Sequence, residues 1–195
     1  MEERAGQPPI YTIGYGNRSS DEFVALLQYY EIRYLVDLRS QPSSRFHPEF
    51  SKAALEATLK EQHIRYIFLG EQLGGRPQDA TCYVNGKIDY ALLREKPFYR
   101  QGIQRLYTAW EKQVRMALMC SEQKPQECHR SKLIGNTLRQ RGIVVAHIDE
   151  FGKLKSQEEI DELLSGGQLT LFDDPALNKK IGLSRKKYIL EEQDP

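Results

Sequence analysis

Several features of membrane, secreted and disulfide-bonded proteins are missing from this 195-residue sequence. It has no apolar run of the roughly 20 residues that a membrane-spanning helix needs, so we expect no membrane partner. The N-terminal stretch MEERAGQPP lacks the apolar core of a signal peptide, so we expect no export. Three cysteines, an odd number, argue against a disulfide framework and favour a reducing, cytoplasmic location.

An excess of charge of either sign is also missing. Lys and Arg number 28 against 27 for Asp and Glu, which gives a formal net charge of +1. The chain therefore has no overall basic field that would indicate a nucleic-acid-binding protein, and any such contact must come from a local patch. With 39% hydrophobic residues, a chain of this length predicts one globular domain with tails.

Five short apolar runs, rich in β-branched residues, alternate with helical patterns. The runs lie at residues 10–13, 34–38, 65–69, 116–120 and 144–148. This alternation predicts a three-layer α/β fold, in which helices cover both faces of a mostly parallel, five-stranded sheet of the flavodoxin or Rossmann kind. Ser19 and Glu22 predict a capped helix start, as do Ser156 and Glu159. A single helix is expected over about 126–141.

The same patterns divide the chain into a domain and two tails. The α/β domain is predicted over 9–165, after a polar tail at 1–8 and before a C-terminal tail at 166–195. Within the domain, residues 70–98 are interrupted by glycines and prolines and predict a loop-rich insertion.

Polar and charged residues follow the predicted strands at their carboxyl ends, where open α/β sheets bind their ligands. Arginine grips phosphate or carboxylate in two places, so the sequence predicts a site for an anionic ligand, with phosphate the best fit. In a competing interpretation, some arginines form structural salt bridges with Asp37, Glu71 or Glu122. The predicted ligand-binding residues are Tyr15, Asn17, Arg39, Ser44, Arg45, Gly74, Gly75, Arg76, Cys120 and Arg130.

Four residues near this edge are candidates for catalysis. Asp37 and Glu122 are acid–base candidates, because partial burial at a strand end raises a carboxyl pKa. Cys128 is a nucleophile candidate with His129 as its base, because a helix N-terminus and basic neighbours make a thiol more acidic. Against this dyad, adjacent residues on a helix point in different directions, and Cys128 could instead pack as a small apolar residue.

A metal or cofactor has weaker support. Cys120, Cys128, His129 and His147 together offer zinc-binding atom types, but no C-x-x-C spacing is present. A redox pair of Cys120 with Cys128 lacks a motif in the same way. The pair Gly14-x-Gly16 lacks the third glycine of a dinucleotide fingerprint. We therefore predict no metal and no cofactor.

Four segments carry a resemblance to a known family. They read TIGYGNRSSDEF, LVDLRSQPSSRFHPEF, IRYIFLGEQLGGRP and MCSEQKPQECHRSKLI, in this order within about residues 10–150. They resemble the domain-of-unknown-function 488 (DUF488) family, which implies an α/β domain with its marked residues on these segments, and implies no particular reaction. The chain departs from the expected family pattern at Tyr15, in place of a histidine, and at Gly16, in place of a serine.

The stretch 168-QLTLF-172 resembles the bacterial sliding-clamp binding peptide. Such a peptide docks in an extended form and fills preformed pockets with a few apolar anchors. Leu169, Leu171 and Phe172 would be the anchors, and Gln168 would make the polar contact at one end. The alternation of Leu and Thr is also typical of a half-buried edge strand, which is the competing interpretation.

Three hypotheses about function follow from these patterns. In the first, the protein is a DNA-associated enzyme that is recruited by the clamp and acts on a nucleotide, a base or a strand end, for example at a nucleosidic bond. In the second, it is a non-catalytic sensor of nucleotides or DNA ends that uses the same pocket. In the third, it is a cysteine-dependent small-molecule enzyme with Cys128 as nucleophile.

Overall fold

The central sheet of the protein has six strands. In the computed structural model, residues 6–165, 182–184 and 187–188 are described. The strands of the central sheet are β1 (Ile10–Gly14), β2 (Tyr34–Asp37), β3 (Arg65–Phe68), β6 (Met116–Cys120), β7 (Val145–Ile148) and β8 (Leu154–Ser156). Their order is β3-β2-β6-β1-β7-β8, and all pairs are parallel except β7 with β8. The predicted mostly parallel sheet is confirmed, with one more strand than expected.

Seven α-helices surround the sheet in the described part of the chain. They are α1 (Ser20–Tyr29), α2 (Lys52–Glu61), α3 (Gly70–Leu73), α4 (Tyr90–Glu95), α5 (Pro97–Glu111), α6 (Asn136–Gln140) and α7 (Gln157–Ser165). Both predicted capping boxes are present: Ser19 with Glu22 at the start of α1, and Ser156 with Glu159 before α7. None of the helices in the described residues is long and apolar enough to cross a membrane.

Two hydrophobic clusters lie on opposite faces of the sheet. Successive residues of β6 alternate between them, with Met116 and Leu118 on one side and Ala117 and Met119 on the other. The first side packs against α5 and α6, and the second against α1 and α2. This alternation along a fully buried strand produces the three layers that the sequence predicted.

The insertion at residues 70–98 contains short regular elements. Helix α3 is followed by a small antiparallel hairpin of β4 (Tyr83–Val84) and β5 (Lys87–Ile88), and then by α4. Helix α5 begins at Pro97, a first helical position where the missing N–H of proline costs nothing.

The prediction of one helix over 126–141 is wrong in its first turns. A 3-10 turn (Pro125–Glu127) is followed by extended backbone at Cys128, where φ is −116° and ψ is 149°. A π-helix (Arg130–Gly135) then leads into α6. The sulfur of Cys128 accepts a hydrogen bond from the N–H of Arg130 at 3.4 Å. Cys128 lies outside the helix, but its side chain satisfies one of the backbone N–H groups at the start of the helix.

Candidate functional site

A pocket of about 250 Å³ opens at the carboxyl edge of the parallel strands. Its wall is built from the residues after β1, β2 and β6, from the start of the insertion and from the C-terminal segment. The lining residues are Tyr15, Arg39, Ser40, Gln41, Ser43, Gly75, Arg76, Tyr90, Cys120, Ser121, Glu122, Glu127, His129, Ser184 and Tyr188.

The pocket brings together about half of the residues that the sequence indicated. The predicted residues in its wall are Tyr15, Arg39, Gly75, Arg76, Cys120, Glu122 and His129. The predicted residues outside the wall are Asn17, Asp37, Ser44, Gly74, Arg45, Cys128 and Arg130. Asn17 and Arg45 are exposed, whereas Asp37, Cys128 and Arg130 are buried behind the wall.

Asp37 orients Arg39 in the pocket wall. Its Oδ1 accepts from the backbone N–H and Nε of Arg39, and its Oδ2 lies 2.6 Å from Nη2. Tyr66 donates its hydroxyl proton to the same Oδ2 at 2.7 Å. Burial and this hydrogen bond raise the pKa of Tyr66, so the phenol remains a donor. Asp37 therefore has the orienting role that the sequence left open beside acid–base catalysis.

Two arginines face the pocket in different ways. The guanidinium of Arg39 lies 5.4 Å from the ring centre of Tyr15, and its Nη1 has no hydrogen-bond partner. Arg76 is exposed, lies 4.8 Å from the ring centre of Tyr188, and donates its backbone N–H to the hydroxyl of Ser40 at 2.8 Å. The wall thus contains one buried and one exposed guanidinium.

Arg130 has a structural role. Its side chain is fully buried, and it donates from Nη1 to the carbonyl of Glu122 and from Nη2 to that of Gln123 at 3.0 Å. Gly14 permits this close approach, because a Cβ there would lie 1.8 Å from the carbonyl oxygen of Glu122. Arg130 therefore fixes the loop that carries Glu122.

Ser44 and Gly74 shape neighbouring loops. The hydroxyl of Ser44 accepts a hydrogen bond from the backbone N–H of His47 at 3.1 Å. The backbone N–H of Ser44 donates to the hydroxyl of Ser51, also at 3.1 Å. A Cβ on Gly74 would lie 2.2 Å from the carbonyl of Gly70 and 2.4 Å from the hydroxyl of Ser40. Both residues therefore stabilise loops next to the pocket without lining it themselves.

Two thiols, a carboxylate and an imidazole meet in one cluster. Glu122 Oε2 lies 2.9 Å from the sulfur of Cys120 and 3.2 Å from that of Cys128. His129 Nδ1 lies 3.7 Å from each sulfur. We call Cys120, Glu122, Cys128 and His129 the thiol cluster. Three of its members line the pocket, whereas Cys128 lies behind them and is only 1% exposed.

The two thiols of the cluster differ in their pKa values. A hydrogen bond from Cys128, helped by the charge of His129 and opposed by burial, lowers the pKa of Cys120. Burial and the neighbouring Cys120 raise the pKa of Cys128 well above its usual range. Although burial opposes it, hydrogen bonding from Cys120 and the charge of His129 lower the pKa of Glu122 to about 2. Of the two thiols, Cys120 is the more acidic and lines the pocket.

The imidazole of His129 has a defined orientation. Its Nε2 lies 3.2 Å from the carbonyl oxygen of Leu73, which can only accept, so Nε2 carries a proton. In the neutral ring Nδ1 is then unprotonated and faces the two sulfurs. Gly75 lies against this ring, and a Cβ there would lie 2.8 Å from Nδ1.

His147 lies outside the thiol cluster. It is fully buried, with Nδ1 2.8 Å from the hydroxyl of Thr12 and Nε2 2.9 Å from Oε1 of Gln157. The zinc-binding set considered from the sequence is therefore not assembled as such, because Glu122 takes the fourth place.

Several wall residues are not among those that the sequence indicates as ligand-binding or catalytic. Ser40, Gln41 and Ser43 share a loop with Arg39, so their position after β2 was a usable signal. Tyr90 and Tyr188 come from the insertion and the C-terminal segment, where no strand end indicated a site.

The predicted partner-binding residues Gln168, Leu169, Leu171 and Phe172 lie outside the described residues.

Comparison with known proteins assigns the chain to a family. No curated protein matches the chain, and no solved structure matches it. The sequence pattern described as "Domain of unknown function DUF488" matches residues 19–136, more than half of the chain, so this protein belongs to the DUF488 family.

Proposed function

We propose that the pocket binds a phosphorylated nucleotide, either free or at the end of a DNA strand. The observation that carries the proposal is the buried guanidinium of Arg39 in the pocket wall, whose Nη1 has no hydrogen-bond partner. An unsatisfied buried donor is costly, and a phosphate oxygen would satisfy it with a charge-assisted hydrogen bond.

Further donors in the wall suit the same ligand. Arg76 is exposed and supplies a second guanidinium. The hydroxyl of Ser40 accepts from the N–H of Arg76, so its own proton is free to donate. Ser43 and Ser121 add hydroxyls to the wall. A phosphate group has three or more acceptor oxygens and can use several such donors together.

The wall also offers aromatic surface for a planar base. Tyr15, Tyr90 and Tyr188 line the pocket; Tyr15 and Tyr90 are buried, whereas Tyr188 is partly exposed, and an exposed aromatic ring can stack on any base. A volume of about 250 Å³ is just below the range of about 300–1,000 Å³ that is usual for ligand pockets. It suits a single nucleotide unit, which is why the proposal covers a free nucleotide or one strand end.

Calorimetric titration of the full chain tests this proposal. The ligands are a short single-stranded oligonucleotide with a 5′-phosphate, the same oligonucleotide without it, and a free deoxynucleoside monophosphate. Arg76→Ala should weaken binding of the phosphorylated ligands about tenfold or more, because a hydrogen bond to a charged group contributes about 1.5–3 kcal/mol.

Arg45→Ala is the matched control, because Arg45 is also exposed and lies outside the pocket wall. It should leave the affinity unchanged. Equal binding with and without phosphate, or equal losses in the two variants, would contradict the proposal. Chromatography of the ligand after incubation then separates a sensor, which returns it unchanged, from an enzyme, which converts it.

The sequence carries a second part of the proposal. We infer from 168-QLTLF-172 that the protein binds the bacterial DNA polymerase sliding clamp in the cytoplasm. Recruitment of this kind would bring a nucleotide-binding pocket to newly made DNA. The support is the order of Gln168, Leu169, Leu171 and Phe172 in the sequence.

A further inference from the structure

The thiol cluster combines the side-chain types that bind zinc. Its four ligand atoms, two sulfurs, one imidazole nitrogen and one carboxylate oxygen, all lie within 4.8 Å of one another. Zn²⁺ takes Cys, His and Asp or Glu ligands in tetrahedral geometry. We propose that Cys120, Cys128, His129 Nδ1 and Glu122 bind one Zn²⁺ ion at the wall of the pocket.

The nitrogen-to-sulfur distances in the cluster are close to the edges of a tetrahedral zinc site. With Zn–S near 2.3 Å and Zn–N near 2.0 Å, tetrahedral angles separate sulfur from nitrogen by about 3.5 Å. His129 Nδ1 lies 3.7 Å from the sulfur of Cys120 and 3.7 Å from that of Cys128. Glu122 Oε2 lies 2.9 Å and 3.2 Å from the two sulfurs, closer than the tetrahedral sulfur-to-oxygen edge of about 3.5 Å, so it needs to move away from them by about half an ångström.

The surroundings of His129 suit a metal ligand. Histidines that bind metals almost always donate their other ring N–H to a carbonyl or carboxylate, which fixes the ring and its tautomer. His129 does this through Nε2 to the carbonyl of Leu73. Gly75 has no side chain beside Nδ1, where a Cβ would lie only 2.8 Å away. The ring is therefore held with its free nitrogen towards the two sulfurs.

The sulfur of Cys128 has one contact that favours a negative charge, although burial and Cys120 oppose ionisation in the absence of a cation. It accepts a hydrogen bond from the backbone N–H of Arg130, and a hydrogen bond of this kind favours a thiolate. Binding of Zn²⁺ releases one proton from each thiol to solvent, and the dication compensates the two thiolates and the carboxylate of Glu122. Without a cation, three anionic groups at this depth would repel one another strongly.

The donor set also distinguishes between metals. Mg²⁺ and Ca²⁺ prefer oxygen ligands, so two sulfurs exclude them as resident ions. A disulfide between Cys120 and Cys128 is the chemical competitor, since it would remove both sulfur ligands. A disulfide needs only the two sulfurs, so it would not explain why His129 Nδ1 and Glu122 Oε2 lie close to both of them.

Zinc binding by the full chain tests the site. The protein is reduced with a phosphine, stripped with a chelator, dialysed, reloaded with Zn²⁺ and analysed by mass spectrometry of the metal. Wild type should hold about one Zn²⁺ per chain. Cys120→Ser and Cys128→Ser should each weaken binding roughly a hundredfold or more.

Cys82→Ala is the matched control, because Cys82 is an equally buried free thiol outside the cluster. It should retain about one Zn²⁺ per chain, as a folded variant with the four ligands intact. Retention of zinc by both serine variants, or equal loss in Cys82→Ala, would overturn the proposal. Circular dichroism of each variant separates a lost ligand from a lost fold.

A second measurement needs no variant. Zn²⁺ should protect Cys120 and Cys128 of the wild type, but not Cys82, from alkylation after mild denaturant, as read by peptide mass spectrometry. Co²⁺ in place of Zn²⁺ should give a thiolate-to-metal charge-transfer band and the strong visible absorption of a tetrahedral site. A stripped, reduced wild type that takes up no zinc, or whose two thiols stay unprotected, would overturn the proposal whether or not nucleotides bind.

Discussion

Asp37 holds the guanidinium of Arg39 in two places, with Oδ2 2.6 Å from Nη2 and Oδ1 3.0 Å from Nε. The side chains are 0% and 5% exposed, so the pair is shielded from water and salt. Tyr66 completes the contacts of the carboxylate. This arrangement fixes Arg39 beside the ring of Tyr15 before any ligand enters the pocket.

Asp37→Asn should strongly destabilise the protein, because it leaves the Arg39 charge buried without its counter-charge. Breaking one side of a buried ion pair costs about 3–5 kcal/mol of unfolding free energy, measured by urea denaturation. Glu31→Gln is the matched control: it breaks the exposed pair of Glu31 with Arg115 and should cost less than about 1 kcal/mol. Similar losses in the two variants would show that burial of the Asp37 pair adds nothing.

The central strands could be predicted because burial on both faces leaves an uninterrupted apolar run. Every residue of β1 and β6 is buried. Strand β8 is short and partly exposed, and it joins the sheet by antiparallel pairing with β7, where His147 lies opposite Lys155. A three-residue antiparallel edge of this kind has no distinctive hydrophobic pattern, so the sequence could not indicate it.

The site could be predicted as a region, but not the use of each residue. Arg39, Arg76 and Arg130 all follow strands, yet both Nη atoms of Arg130 donate to backbone carbonyls, which leave no trace in the sequence. The basic neighbours of Cys128 indicate it, and not Cys120, as the nucleophile candidate in the sequence. The extended backbone at Cys128 turns its sulfur inwards, and Cys120 lines the pocket instead.

Gly75→Ala should weaken zinc binding roughly tenfold to a hundredfold, the usual effect of disturbing a residue that orients a metal ligand. The added Cβ would lie 2.8 Å from Nδ1 of His129 and 3.2 Å from its two ring neighbours, so the ring must shift. Competition with a chelating dye measures the zinc affinity, and thermal denaturation without metal reports any loss of fold. An unchanged zinc affinity would mean that the His129 ring has room to move without consequence.

The paired substitution of Leu171→Ala and Phe172→Ala should reduce binding to a purified bacterial sliding clamp roughly thirtyfold or more. Loss of one apolar anchor of this kind already costs about 2 kcal/mol, which is about thirtyfold in affinity. Surface plasmon resonance with immobilised clamp measures this. Asp173→Ala with Asp174→Ala changes the adjacent residues outside the motif and should retain binding. Equal affinity of wild type and the Leu171 and Phe172 variant, or no binding by either, would remove clamp recruitment from the proposed function.

His147 is the centre of a buried hydrogen-bond chain. It accepts from the hydroxyl of Thr12 at Nδ1 and donates from Nε2 to Gln157, which in turn donates to Asp161. Burial, helped by the charge of Arg130 and opposed by Gln157 and Glu158, lowers the pKa of His147 to about 4. The native protein therefore holds this imidazole neutral at pH values at which an unfolded chain protonates it.

His147 should make the protein less stable in mild acid. The histidine pKa is near 6.5 in the unfolded chain and about 4 in the native state, so the unfolded chain binds the extra proton and stability falls as pH drops through this window. From about pH 7.5 to about pH 4.5, the loss due to His147 should be about 2–3 kcal/mol, measured by urea denaturation. His147→Gln should remove this part of the pH dependence, whereas His63→Asn, at an exposed histidine with φ of 57°, should retain it. If His147→Gln and wild type lost the same stability over this range, burial of His147 would not be the cause.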